Sequence, residues 1–295
     1  MSTKTTPNFM PEVSICICNK NMEDTLPHSL NSVLTQLDNR YEVIVIDDYS
    51  SDGSRIELKK LEAIHSNLRV IYLSKDKNRR LGMTRNLSFK IARGKWCIFH
   101  IDTDDLIGPY IMEFERIVRK MDEFLDRDHL FSGKQIHMAK KEFLVARGPF
   151  KNIYRGEDRD LYMRLAFSHE WIIIEHKRFI TRMKRLKIKK FNKILNDEWD
   201  TTVVDLQMGS KPLSYLISII SRYKIIGLVR TFVKCLFVPF AYLVSCKRGF
   251  FSSEDKVQLE DFIIYRKQNT KSFSEWKDFL GIGKLDFTYS EDVFY

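Results

Sequence analysis

Four short apolar runs, VSICIC (13–18), EVIVID (42–47), RVIYL (69–73) and WCIFHI (96–101), recur within the first hundred or so residues, and stretches of helical periodicity separate them. Between the first two runs, Leu26, Leu30, Val33, Leu34 and Leu37 fall on one helical face, with Asp24 or Thr25 placed to cap it. Leu58, Leu61 and Ile64 mark a second helix, and a third is predicted over about 81–93. Continuous apolar strands belong in parallel sheets covered on both faces. Strand and helix in alternation therefore restrict the chain to an α/β architecture with right-handed crossovers.

The fourth run passes directly into Asp102-Thr103-Asp104-Asp105 with no turn residue between them. If the chain stays extended past Ile101, alternation places Asp102 and Asp104 on the same side. Two carboxylates held close repel unless a cation lies between them, and hard divalent ions accept such oxygen ligands. The plainer alternative is an acidic turn ahead of a helix that opens at Gly108-Pro109, with proline in its first position. Parallel strands would carry three polar turns, 18–21, 47–51 and 102–105, to one sheet edge, where open α/β sheets bind ligands. That coincidence favours a binding site.

Downstream, an amphipathic helix is predicted over 109–126, a short strand at HLFSG (129–133) and a loop over 134–150. Glu157 and Asp158 then open another helix, where negative charge suits the exposed amides and a carboxylate can also face a cleft to accept a proton. Residues 177–193 hold nine lysines and arginines in seventeen positions, either a solvated face or a contact for phosphates and lipid headgroups. Residues 213–246 are far more apolar, and 225–245 is long enough to span a bilayer. Arg230 and Lys234 stand inside that run, so an in-plane amphipathic helix broken near Pro239 is expected in preference to a spanning one, with ordinary core helices packed on the catalytic domain as the alternative. Residues 251–295 read as a surface-packed tail.

A formal charge of +10 calls for an anionic partner, while 44% apolar and 30% charged residues describe a folded protein. Cysteines at 16, 18, 97, 235 and 246 make an odd set without zinc spacing, which fits reduced thiols in a cytosolic setting. The first residues, MSTKTTPNFMPE, lack the apolar core of an export signal. The basic run contains Phe179 and Phe191 but no nucleic-acid docking motif, so no nucleic-acid partner is expected.

Taken in order, VSICICNKN, EVIVIDDYSSDGS, LGMTRNLSFKIARGKW with IDTDD, and GEDRDLYMRL resemble the motifs of family 2 glycosyltransferases, over about residues 11–170. The resemblance implies a GT-A (Rossmann-like) fold: a mostly parallel sheet flanked by helices, here followed by a helical, membrane-associating region. It implies that Asp48 hydrogen-bonds the nucleotide base, beside Cys18 and Lys20. Family members often carry threonine and tyrosine at those last two positions, and this chain's departure leaves the base open between uracil and guanine: the resemblance implies a UDP- or a GDP-sugar donor. Arg85 is implied to face the donor phosphates. Asp102 and Asp104 resemble the DxD pair that takes Mn²⁺ or Mg²⁺, with Asp104 as direct ligand and Asp105 shaping the loop or touching the sugar. Asp158 resembles the catalytic base.

The expectation is thus a metal-dependent inverting glycosyltransferase, peripheral on the cytoplasmic membrane face, acting on a glycan or polyprenyl-phosphate-linked acceptor. Its catalytic domain is expected over 1–200, its membrane-associating segment over 201–250 and its tail over 251–295. The alternatives are a non-catalytic membrane- or polyanion-binding relative and a sugar nucleotidyltransferase. The latter's glycine-rich first loop is missing, since 18–21 contains no glycine. A phosphohydrolase with an Asp-x-Asp nucleophile is disfavoured, because here the motif follows the fourth strand.

Overall fold

A computed structural model of the chain describes residues 10–147, 150–153, 155–183, 191–207, 210–248 and 259–295. In chain order the elements are β1 (Val13–Asn19), α1 (Leu26–Leu34), β2 (Tyr41–Asp47), α2 (Ser54–Ile64), β3 (Leu68–Tyr72), α3 (Leu81–Ile91), β4 (Trp96–Asp102), β5 (Asp105–Ile107), α4 (Ile111–Asp122), β6 (Leu130–Ser132), β7 (His137–Lys140) and α5 (Lys141–Arg147). There follow α6 (Glu157–Phe167), β8 (Trp171–Glu175), β9 (Ile180–Arg182), α7 (Phe191–Gln207), α8 (Pro212–Ser221), α9 (Tyr223–Ile226), α10 (Leu228–Arg248), α11 (Leu259–Gln268), β10 (Thr270–Ser272) and α12 (Phe273–Leu280). They fall into two compact units, the first drawn from Met1–Phe150, Glu170–Leu186 and Asn269–Tyr295, the second from Lys151–His169 and Lys187–Gln268.

The first unit is built on an eight-stranded sheet in the order β10-β8-β6-β7-β4-β1-β2-β3. Pairings along it are parallel except those of β7, which runs against both β4 and β6. The four apolar runs are β1 to β4, and every residue of β2 is buried. Register aligns Asn19 with Asp47 and Cys18 with Asp102, so the ends of β1, β2 and β4 meet at one edge, as the sequence predicts. An extra residue in β4 shifts its register against β1 between Ile15 and Ile17, and His100 there has φ of 69°.

Two expectations for this unit are corrected. Residues 134–150 are not a loop: they include β7 and α5, and Met138 and Ala139 are fully buried. A four-residue strand is too short to show periodicity of its own. The supposed tail contributes β10 to the sheet edge beside β8, and its Phe273 and Phe294 are fully buried in the main core. Ser272 and Glu275 form a reciprocal capping box at the start of α12. Residues 251–258 lie outside the described residues.

The second unit is helical. Val203, Leu206, Tyr215, Ile219, Val238 and Ala241 form a core shared by α7, α8 and α10. The expected break near Pro239 is absent, and α10 runs through it. Buried Val238 and Ala241 hold the helix on either side of the proline, and Ser245 Oγ donates to the Val203 carbonyl at 3.0 Å. Arg230 and Lys234 stand 3.5 and 3.2 Å from Glu198 of α7, so the charges within the apolar run have an acidic partner. Among the described residues, Leu228–Lys247 is long and apolar enough to cross a membrane, and only 17% of its most apolar window is buried.

Candidate active site

The edge where β1, β2 and β4 end is tied together by Asn19. Its amide donates to Asp47 Oδ1 at 2.9 Å and to Ser50 Oγ at 3.2 Å, and its Oδ1 accepts from Thr103 Oγ1 at 3.0 Å. One side chain thus joins all three loops. Asp47 is fully buried and receives Arg55 Nε at 2.7 Å, which makes it an internal structural carboxylate.

Asp48, its neighbour, faces a cavity of about 400 Å³ lined in part by Lys20, Tyr49, Lys75, Arg79 and Arg80. Lys20 Nζ meets Asp48 Oδ2 at 2.9 Å and Arg79 Nη2 meets Oδ1 at 2.7 Å. Burial raises this carboxyl, but the hydrogen bonds and charges of Lys20 and Arg79 outweigh it and hold the group below the usual aspartate value. Cys18 lies beside these groups on β1. Burial pushes its thiol up to about 12 against the opposing charge of Arg85, so it is no nucleophile at neutral pH. Arg85 itself is buried on α3 with its guanidinium 5.2 Å from the centre of the Phe150 ring.

The acidic run does not continue extended past Ile101. β4 ends at Asp102, the chain turns through Thr103 and Asp104, and β5 starts at Asp105. Alternation along one strand therefore does not relate Asp102 to Asp104. The turn is fixed from outside, where Thr25 Oγ1 donates to the Thr103 carbonyl at 2.8 Å, and from within, where the Asp102 amide donates to Asp105 Oδ2 at 3.0 Å. The following helix begins at Ile111, two residues after Pro109. Asp105 is fully buried. Burial raises its carboxyl, and the Asp102 amide and Arg182 offset only part of that rise.

Arg182, on β9, is the basic member of this cluster: Nη2 is 2.6 Å from Asp102 Oδ2, and Nε is 3.1 Å from Asp105 Oδ1 and 3.6 Å from Asp104 Oδ1. Within the basic run, then, this residue faces an acidic turn of its own chain; 184–190 lie outside the described residues. Sequence reading passed over Arg182, Arg79 and Asn19. Each lies in a stretch with a signal of its own, the basic run 177–193, the basic loop 75–80 and the polar turn 18–21, but none of those signals singles out the residue.

Among the described residues, no group of three or more His, Cys, Asp and Glu side chains is arranged to hold a metal ion. An ion bound through one or two carboxylates and completed by phosphate oxygens needs no such group. Asp102 and Asp104 fit that smaller requirement, with hard oxygen donors on a turn held by Asn19, Thr25 and Arg182.

Asp158 belongs to the second unit. Gly156, with φ of 76°, adopts the left-handed conformation that glycine takes without strain and starts α6. Asp158 Oδ1 accepts the Arg159 amide at 2.8 Å in the first turn. Arg155 pairs with Asp197 at 2.5 Å, and Arg159 pairs with Asp205, which also accepts the Tyr215 hydroxyl at 2.8 Å. Both arginines flanking Asp158 are thereby turned onto α7.

The family model described as "Glycosyl transferase family 2" matches residues 14–184, from β1 through the Asp102–Asp105 turn, Asp158 and Arg182. The chain belongs to glycosyltransferase family 2. One relative, the putative teichuronic acid biosynthesis glycosyltransferase TuaG of Bacillus subtilis, is 29% identical over 125 residues, 42% of this chain and 46% of that protein. The UDP-Glc:α-D-GlcNAc-diphosphoundecaprenol β-1,3-glucosyltransferase WfaP of Escherichia coli is 26% identical over 136 residues, 46% of this chain and 50% of that one. The aligned part is thus half or less of each relative's length. In fold, this family 2 chain is similar to the mannosyltransferase PcManGT of Pyrobaculum calidifontis, solved with GDP-Man and Mn²⁺. The two share 13% identity at a TM-score of 0.51, over 93% of this chain and 85% of that one. The architecture is the GT-A type that the motifs imply.

Proposed function

We propose that the protein is a metal-dependent, inverting glycosyltransferase that moves a sugar from a UDP- or GDP-sugar to a lipid-linked or glycan acceptor. One observation carries this reading: the Asp48 cavity and the Asp102–Asp105 turn share a sheet edge, tied by Asn19. Asp48, Lys20 and Arg79 would hold the nucleoside, with Cys18 alongside and Arg85 turned to the diphosphate. Asp102 and Asp104 would hold Mn²⁺ or Mg²⁺, and Asp105 would keep the turn in shape. When bound there, the ion would offset charge growing on the departing diphosphate.

Asp158 is assigned as the base because it matches the family's Gly-Glu-Asp stretch. The acceptor oxygen attacks the anomeric carbon, the bond to the diphosphate breaks with its electron pair leaving on phosphate, and Asp158 takes the hydroxyl proton. One direct displacement inverts the anomeric centre, and no covalent nucleophile takes part.

Residues 201–250 are assigned to the cytoplasmic membrane face. On α8 and α10, Leu213, Ile217, Phe232, Leu236, Phe240 and Leu243 are each more than half exposed. Arg222, Lys224 and Lys247 lie beside them in sequence, a pattern suited to an anionic bilayer surface. The lipid-diphosphate acceptor in the name of WfaP and the Mn²⁺ and GDP-Man held by PcManGT agree with these assignments.

Incubation with UDP- and GDP-sugars, Mn²⁺ and a short polyprenyl-diphosphate-linked sugar, followed by NMR of the new anomeric proton, tests the reading. A product inverted relative to the donor is expected. A retained product, or nucleotidyl transfer in its place, would refute it.

A further inference from the structure

Arg182 is locked to the acidic turn through the backbone as well as the side chain. β9 pairs antiparallel with β5, with Arg182 opposite Asp105, and the Met183 amide donates to the Asp104 carbonyl at 2.7 Å. The guanidinium is therefore delivered to the three carboxylates by the fold itself. Its contacts with them differ in kind. Asp105 is fully buried and already accepts the Asp102 amide, so its pairing with Arg182 holds the turn together. The Asp102 side chain is 37% exposed and that of Arg182 49%, so this contact can be exchanged for water without stranding a buried charge.

We propose that Arg182 is the resident counter-cation of Asp102 and Asp104, and that a divalent ion must displace it from Asp102 to bind. This rests on the assignment of those two carboxylates as the metal ligands. A guanidinium is charged at every pH at which the protein folds, and two cations on one carboxylate pair repel. The donor diphosphate resolves the competition. Its oxygens complete the ion's ligand shell, and its negative charge offers the guanidinium a new partner while Asp105 keeps hold of it. Metal and nucleotide therefore bind together, and the ion alone binds weakly.

Mn²⁺ uptake by the full chain, read from the EPR signal of the free aquo ion, tests this without turnover. The wild type is measured alone and with UDP or GDP, beside Arg182→Gln. Because that substitution leaves Asp105 buried without its cation, the double variant Arg182→Gln/Asp105→Asn, in which both charges are removed, is the second arm. Thermal melting identifies which variant is folded. Nucleotide-free Mn²⁺ affinity is expected to rise at least about tenfold in the folded variant, and the gain from adding nucleotide to shrink. A folded variant that binds Mn²⁺ alone no better than the wild type, while the wild type binds it with nucleotide, overturns the role of Arg182 and leaves the metal site standing. A wild type that takes up no Mn²⁺ with either nucleotide removes both.

Discussion

Arg79 Nη2 lies 2.7 Å from Asp48 Oδ1, at a cavity whose remaining charged lining includes Lys20, Lys75 and Arg80. Asp48 thus reaches the cavity proposed for the nucleoside with a cation already on each oxygen, since Lys20 takes the other. Arg79 shapes the site as much as Asp48 does. Replacing Arg79 by Ala should weaken both UDP and GDP by about tenfold, equivalent to about 1.4 kcal/mol, in titration calorimetry. Unchanged affinity for both would place the nucleoside elsewhere.

The same pair predicts a pH dependence. Because Lys20 and Arg79 hold Asp48 below its ordinary value, the unfolded chain binds this proton more readily than the folded one. The stabilisation is complete above the unfolded value of about 3.9 and is lost as pH falls through the lower folded value. Urea unfolding of the wild type and Asp48→Asn should differ most near neutrality, and the gap should narrow progressively as pH falls below the ordinary aspartate value. A gap that stays constant across that range would mean the two cations do not depend on the carboxylate's charge.

Asp158→Asn should lower turnover by about 10²- to 10⁴-fold, the usual worth of a positioned base, while UDP and GDP affinity stays as in the wild type. The amide keeps the shape of the side chain and its bond from the Arg159 backbone, so the melting temperature should hold. Turnover near the wild-type level would dismiss Asp158 as the base.

For the membrane assignment, Phe232 and Phe240 are 63% and 65% exposed on α10. Burying each in lipid is worth about 1.5–3 kcal/mol, so Phe232→Glu/Phe240→Glu should reduce partitioning onto phosphatidylglycerol vesicles by at least about a hundredfold. Sedimentation with vesicles measures it. Equal binding by both proteins would assign the exposed face to something other than lipid.

How far the sequence reveals this arrangement depends on how local each cause is. β1 to β4 were legible because strands buried on both faces are continuous apolar runs, and their turns then had to share an edge. β7 and β10 were not, because His137–Lys140 and Thr270–Ser272 are short and gain their places only by pairing with distant strands. The bend at Asp102–Asp105 depends on Thr25 and Asn19, each about eighty residues away along the chain. Arg182 was hidden among other basic residues, where composition points to solvent or phosphate and pairing with β5 decides otherwise. Pro239 was read as a break because its cost is local, whereas the packing that carries α10 through it is not.

The central claim is that hard-oxygen ligands at this sheet edge serve transfer from a nucleotide sugar. Release of UDP or GDP from a panel of nucleotide sugars, measured with Mn²⁺, with EDTA, and with Asp104→Ala, tests it most directly. One donor should be consumed with Mn²⁺, and both EDTA and the substitution should abolish its consumption. Equal release in EDTA, or no release from any donor with Mn²⁺ and a lipid-diphosphate acceptor supplied, would contradict it.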